Sequence, residues 1–266
     1  MAIIGAILGD IAGSRWEFGR PDDLNWETVP LFTNQCMFTD DTVLTIATKE
    51  ALITGSPFED VYHSFGNAYK DCGYGGSFMD WLHRNDKLPY NSFGNGSAMR
   101  VSPVVDLSLD MSQLIYNATR SAYCTHSHPE GVKGAIVTAT CGWMAKHGAS
   151  KREIEEYATK MYPAEKYKYP TSMSLSEMRN VYKWSVTCQG SVPVAIRCFL
   201  DSDNYESFLR NVISLKCDTD TLCAIGGGIA EEYYKTTGFD NEKLLRQYLD
   251  PFLFQYVQDE VYKVIK

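Results

Sequence analysis

Asp218-Thr219-Asp220-Thr221 puts two carboxylates two residues apart and adds hydroxyl oxygens beside them. A helical pattern follows at once, because Leu222, Ile225, Ile229 and Tyr233 recur at steps of three or four and share one face. A lone Asp in that place usually caps the helix, its oxygen accepting orphan backbone N–H groups. Two Asp and two Thr exceed what capping needs, and the surplus oxygens suit a hard cation such as Mg²⁺ or Mn²⁺. A polar helix start is the plainer alternative. Phe38-Thr39-Asp40-Asp41-Thr42 repeats the arrangement, again ahead of an apolar stripe of Val43, Ile46, Ala47 and Ala51. Two acidic helix starts so far apart in sequence could converge on one site. Their four carboxylates would repel unless cations neutralised them. Four carboxylates with two or three hydroxyls suit a pair of divalent ions, whereas zinc would ask for His or Cys ligands.

Other residues could join such a site. Glu17 lies in an expected loop after a small-residue helix; it is either a solvated acid, a general base, or a holder of metal-bound water. Ser92-Phe93-Gly94-Asn95-Gly96-Ser97-Ala98-Met99-Arg100 is a glycine-punctuated turn. Glycines allow a tight turn and expose N–H groups to an anion; Ser97 and Arg100 could assist, and Phe93 offers a stacking surface. The Gly-Lys-Ser/Thr ending of a Walker loop is absent, as is the strand–turn–helix context of a dinucleotide fingerprint. His126 and His128 invite a metal reading, but a hydrogen-bonded cleft His126 with His128 facing solvent accounts for them more simply. Cys217 touches the acidic cluster and reads as a structural thiol.

Positioning these groups falls to helices. Gly5, Gly9 and Gly13 recur every four residues in an expected helix over 3–13, leaving a face on which another backbone can approach. Residues 19–37 read as a loop covering the acidic site. Helical faces follow from near Asp41, and over 58–69 with Ser56 as cap and Pro57 in the first turn. Residues 71–100 read as a glycine-rich loop, and Val101–Val104 as a break. Further helices are expected from Leu109 or Asp110, through Val132–Trp143, and over 150–162. Residues 164–174 read as a surface loop. Leu175–Tyr182, Val192–Phe199 (Pro193 in its first turn), Tyr205–Ile213 and Leu244–Leu249 complete the set. Phe252–Val264 is either a short helix or an aromatic tail. Strand-like alternation is nearly absent, and no linker or repeat divides the chain. The expected fold is all-α, a single compact multi-helix bundle forming one domain over 1–266.

Composition bounds the function. The 266 residues carry 25 basic and 33 acidic side chains, a formal charge of −8, which disfavours nonspecific binding to a nucleic-acid backbone. Eight scattered cysteines without CxxC spacing point to free thiols and a cytoplasmic setting. The apolar start is short, lacks a basic flank and soon reaches Asp10, so it makes a poor signal peptide, and no apolar run is long enough to span a bilayer.

Taken together, Gly9-Asp10 with Gly13 and Glu17, Thr39-Asp40-Asp41, Gly94-Asn95-Gly96-Ser97-Ala98-Met99-Arg100, Thr125-His126 and Asp218-Thr219-Asp220-Thr221 resemble the ADP-ribosylglycohydrolase family, in family order and over most of the chain. The resemblance implies an all-α hydrolase with two Mg²⁺ or Mn²⁺ ions. Thr39, Asp40 and Asp41 would supply one side of the metal cage, and Asp218, Asp220 and Thr221 the other. Glu17 would be the catalytic acid. Ser92, Phe93, Gly94 and Gly96 would cradle phosphates and ribose, Ser97 and His126 would line the same cleft, and Asp10 would orient the metal shell. Lys216-Cys217 departs from the small residues of many relatives, either reshaping the acceptor side or packing outward. The bond at issue joins the anomeric carbon of ribose to a nitrogen or oxygen, through an oxocarbenium-like transition state. An ADP-ribosylated protein side chain is the expected substrate, with a small-molecule conjugate or a nucleic-acid end also open, and the protein is expected to act as a monomer away from membranes. The competing readings are an inactive ADP-ribose-binding protein and a dinuclear-metal phosphohydrolase.

Overall fold

A computed structural model of the chain describes residues 1–259. It contains fifteen helices and, outside them, one isolated antiparallel bridge between Gly94 and Thr187. The first three are α1 (Ala2–Ser14), α2 (Asp40–Thr54) and α3 (Phe58–Ala68). The glycine-rich region holds α4 (Gly76–Leu82), α5 (Gly96–Met99) and α6 (Ser102–Leu107). Next come α7 (Met111–Tyr123), α8 (Pro129–Lys146), α9 (Lys151–Met161) and α10 (Leu175–Val181). The chain continues through α11 (Cys188–Leu200), α12 (Tyr205–Ile213), α13 (Thr219–Tyr234), α14 (Asn241–Tyr248) and α15 (Pro251–Val257). The expected all-α class is observed. None of these helices is long and apolar enough to cross a membrane. All eight cysteines are free thiols.

Helix α1 lies at the centre, buried from Ala2 through Gly13, as an apolar-all-round helix must be. Its glycine stripe lies directly on α13. A Cβ on Gly5 would collide with the carbonyl of Gly227, one on Gly9 with that of Cys223, and one on Gly13 would come within 2.6 Å of the Asp220 Cα. Glycine is therefore required for the two backbones to touch. The first-turn N–H groups of α1 are all satisfied. Asp106 accepts from Ala2 and Ile3 at 2.9 and 3.0 Å, Ile4 donates to the Met1 carbonyl, and Glu231 accepts from Gly5 at 2.6 Å. The contact fixes where both helices point: α1 carries Asp10 and leads into Glu17, while α13 begins beside Asp218 and Asp220.

Several local expectations are corrected. The segment read as loop and break over 71–104 contains α4, α5 and the start of α6. Glycines lie at the beginnings of α4 and α5, where they interrupt no helix, and Pro103 sits in the first turn of α6, which needs no donor there. Ser56 does not cap α3. The cap position is Pro57, and the Ser56 hydroxyl accepts from Thr54 instead. Helix α11 begins at Cys188 rather than Val192, because Thr187 caps it by accepting from Gly190; Pro193 consequently lies inside the helix. The 164–174 segment carries no helix, but its end is packed down: Thr171 is buried and its carbonyl accepts from Arg197 at 2.8 Å. The expected terminal stretch becomes α15 up to Val257, and the part over 260–264 lies outside the described residues.

Candidate functional site

A cleft of about 520 Å³, within the range of small-molecule sites, opens where the starts of α2, α5 and α13 converge. One end is acidic. Asp10, from within α1, accepts from the Thr39 and Thr42 N–H groups at 2.9 and 3.1 Å and from their hydroxyls at 2.7 and 2.5 Å. Its carboxylate thus ties down the start of α2, Oδ2 accepting three of these bonds and Oδ1 one. Thr39 is also the α2 cap, accepting from Asp41. Asp40 and Asp41 follow in the first turn, Asp40 half-buried and lining the cleft, Asp41 buried.

From the other side come Asp218, Asp220 and Thr221, all buried. The Thr221 hydroxyl donates to Asp41 Oδ2 at 3.2 Å, joining the two helix starts across 180 residues of sequence. Asn95 donates to Asp218 at 2.7 Å and also to Ser191 at 3.1 Å, tying Asp218 to the glycine-rich wall. Carboxylate oxygens of Asp10, Asp41 and Asp220 lie within 4.8 Å of one another, as do those of Glu17, Asp218 and Asp220. Asp220 belongs to both groups.

Electrostatically this end is under strain. Burial, followed by the charges of neighbouring aspartates, pushes Asp40, Asp41 and Asp220 well above the ordinary carboxylate range. Asp218 is raised by burial. Glu17 is raised to about 7, first by burial and then by the charge of Asp218. Asp41 Oδ1 is buried with no hydrogen-bond partner, an arrangement that costs about 1–3 kcal/mol or more for a polar atom. An acceptor-only donor set with one orphaned oxygen fits a hard divalent cation. The hydroxyls of Thr39 and Thr221 point their hydrogens at aspartates, which leaves oxygen lone pairs available.

The other end is built largely of backbone. Phe93 O accepts from Cys188 N at 2.9 Å and Val186 O from Asn95 N at 2.9 Å, so the 93–95 turn is stitched to the 186–188 segment. Gly94, Gly96, Ser92 and His126 line the cleft as expected from sequence. A Cβ on Gly96 would come within 3.2 Å of His126 Nε2, tighter than an ordinary contact, whereas one on Gly94 would sit 3.5 Å from it, at van der Waals distance. Two residues expected in the cleft stand apart from its lining. The Phe93 ring is 45% exposed and packs on His128, with centroids 5.2 Å apart. Ser97 is fully buried and donates to the Gly131 carbonyl at 2.7 Å.

The aromatic walls come from elsewhere. Tyr90 and Phe78 line the cleft, as do Phe18 and Trp184, which pair with ring centroids 5.2 Å apart. Val186 joins them from the segment stitched to the 93–95 turn. Sequence reasoning missed Tyr90, Trp184 and Val186 because they belong to segments without periodicity. The available signal was large apolar residues in linkers that offer them no helical face. Lys216 and Cys217 are not among the lining residues: Lys216 pairs with Asp22 at the surface, and Cys217 is buried beneath the turn.

A model of the family described as ADP-ribosylglycohydrolase matches residues 1–256. ADP-ribosylhydrolase ARH3 of Bos taurus is 27% identical, the match covering 87% of this chain and 83% of the bovine protein. The Homo sapiens protein of the same name is also 27% identical, over 87% and 84%. A putative ADP-ribosyl glycohydrolase, L543, of Acanthamoeba polyphaga mimivirus is 23% identical over 89% and 86%. Among solved structures, a chain of an "ADP-ribosylglycohydrolase-related protein complex" superposes with a TM-score of 0.70 over 96% of this chain and 93% of that one, at 20% identity, which supports the shared fold.

Proposed function

The chain belongs to the ADP-ribosylglycohydrolase family, hydrolases of the glycosidic bond to ADP-ribose, and from that premise we propose that it frees ADP-ribose from protein side chains with the aid of divalent cations. The observation that carries the metal dependence is the gathering of carboxylate oxygens from α1, the loop after it, α2 and the start of α13, with Asp220 common to the group with Asp10 and Asp41 and to the group with Glu17 and Asp218, and with Asp41 Oδ1 orphaned. Asp40, Asp41, Asp218 and Asp220, with the hydroxyl oxygens of Thr39 and Thr221, would hold two Mg²⁺ or Mn²⁺ ions. Such ions, when bound, orient ribose hydroxyls and water and lower their pKa. Asp10 holds Thr39 and the α2 start in place without ligating.

Glu17 is the residue assigned to proton transfer. It lines the cleft beside Asp218 and Asp220 and sits half-buried, with a proton affinity near neutrality. A carboxyl so poised can take a proton from water attacking the anomeric carbon or give one to the departing side-chain atom. Asn95 steadies Asp218 from the nucleotide side. Ser92, Gly94, Gly96 and His126, with the faces of Tyr90 and Phe78, receive the ADP-ribosyl group. Phe18 and Trp184 flank the route of the acceptor to Glu17.

The test is a panel of ADP-ribosyl conjugates differing in linkage, to arginine, serine, a nucleic-acid end and small molecules, assayed with Mg²⁺ and Mn²⁺ separately. Release of intact ADP-ribose from a protein-linked member, lost on chelation and restored by either ion, is the expected result. Cleavage yielding AMP would instead identify a phosphohydrolase, and turnover that persists after chelation would remove the metals from the reaction.

A further inference from the structure

Among the residues lining the Ser92–Gly96 end of the cleft is a guanidinium with no carboxylate partner among the described residues. Arg100 is fully buried, its charge resting 4.2 Å over the Tyr62 ring. Its Nη2 donates to the Ser121 carbonyl and to Thr125 Oγ1, both at 2.7 Å. Thr125 is also fully buried, and its Oγ1 lies 2.8 Å from His126 Nδ1. The direction of this chain is fixed by chemistry. A guanidinium can only donate, so Thr125 Oγ1 accepts from it. The Thr125 hydroxyl hydrogen then needs an acceptor of its own, and the ring nitrogen of His126, 2.8 Å away, is a stronger one than the neighbouring Cys124 thiol.

We propose that Arg100 and Thr125 are positioning residues that hold His126 as the neutral tautomer carrying its hydrogen on Nε2, so that the ring donates a hydrogen bond to an acceptor atom of the bound nucleotide. The geometry on the far side of the ring agrees. Nε2 faces Gly94 and Gly96, where the missing side chains leave it open to the cleft. Nδ1, being an acceptor already filled by Thr125, has no part in binding. Burial and the nearby Arg100 charge push His126 well below the ordinary histidine range, which keeps the ring from becoming a cation. A neutral donor at this point recognises an oxygen or ring nitrogen with a free lone pair and rejects a ligand that presents a donor there. The identity of the acceptor as part of ADP-ribose rests on the function proposed above; the tautomer does not.

Ring nitrogen–proton correlation spectra of the full-length protein labelled with ¹⁵N-histidine test the tautomer directly. The His126 signals should show a proton on Nε2 and none on Nδ1 at neutral pH. Thr125→Ser should keep both this pattern and the affinity for ADP-ribose. Thr125→Val should lose the single tautomer and weaken ADP-ribose binding about tenfold by calorimetry. A wild-type ring protonated on Nδ1, or doubly protonated at neutral pH, overturns the inference without need of any variant. So does a Thr125→Val protein that retains the Nε2–H form and wild-type affinity. Wild-type protein with the expected tautomer but no affinity for ADP-ribose would count against the proposed ligand and leave the positioning chain standing.

Discussion

At the acidic end of the cleft, side chains face the cavity and helices stand rigidly behind them; at the Ser92–Gly96 end, backbone faces the cavity while Phe93 packs at the surface and Ser97 is buried out of the cleft. The first arrangement concentrates negative charge that the protein itself cannot neutralise. The second contributes shape and one imidazole, that of His126. The difference is one of construction: like charges need a stiff frame to hold them together, whereas a backbone-lined wall needs glycines and cross-segment hydrogen bonds that bring the chain close.

The stiffest part of that frame is the α1–α13 contact, and breaking it should have the largest effect. Gly9→Ala pushes a methyl into the Cys223 carbonyl and should cost about 3 kcal/mol or more in chemical denaturation, with loss of cation binding as the acidic ends separate. Wild-type stability in this variant would mean that the two helices can slide apart harmlessly. Glu17→Gln leaves the frame alone. Hydrolysis should fall roughly 10²-fold or more while Mn²⁺ and ADP-ribose still bind, as read by single-turnover assays and calorimetry on one preparation. Asp218→Asn removes one charge from the acidic end and should lower Mn²⁺ affinity at least about tenfold, by titration, with the folded structure retained.

Acidity itself divides the two ends. Carboxyls whose folded pKa values lie above their unfolded ones bind protons more tightly when folded. Their contribution to stability is therefore whole below about pH 4 and is lost as pH climbs toward the folded values, about 6 for Asp10 and about 7 for Glu17. Metal-free protein should melt roughly 4 °C or more lower at pH 7.5 than at pH 5, and Mg²⁺ or Mn²⁺ should close that gap. A gap of the same size with cations present would assign the effect to other groups. The smallest change is expected at the nucleotide end. Phe93→Ala should alter ADP-ribose affinity less than about twofold, whereas Tyr90→Ala should weaken it about tenfold, by calorimetry. The reverse order would return Phe93 to the binding surface.

The same contrast explains what could be read from the sequence. Acidic helix starts announce themselves when, as here, Asp and Thr ahead of a 3.6-residue stripe outnumber what capping needs. The Gly5, Gly9 and Gly13 spacing likewise revealed a close approach before its partner was known. At the Ser92–Gly96 end, Phe93 and Ser97 both lie outside the cleft lining, Phe93 because it packs at the surface on His128 and Ser97 because it is held inward by the Gly131 carbonyl. Which way a loop faces depends on distant hydrogen bonds that no local pattern records. Trp184 and Tyr90 escaped for the same reason. The helices over 76–107 were hidden by glycines and a proline that occupy helix starts, where their usual helix-breaking effect is absent.

The placement of α1 carries a consequence for how the chain comes to be folded. Gly5 is bound by Glu231, 226 residues later, and every glycine of the stripe waits for a partner in α13. During synthesis α1 emerges well before α13, the surface that covers its glycine stripe. Closing so long a loop is entropically slow, and until it closes α1 has no native neighbour along its glycine face. A ribosome paused before residue 219 therefore holds a chain that cannot settle into its final core, and for that interval α1 is the segment most in need of a chaperone's protection.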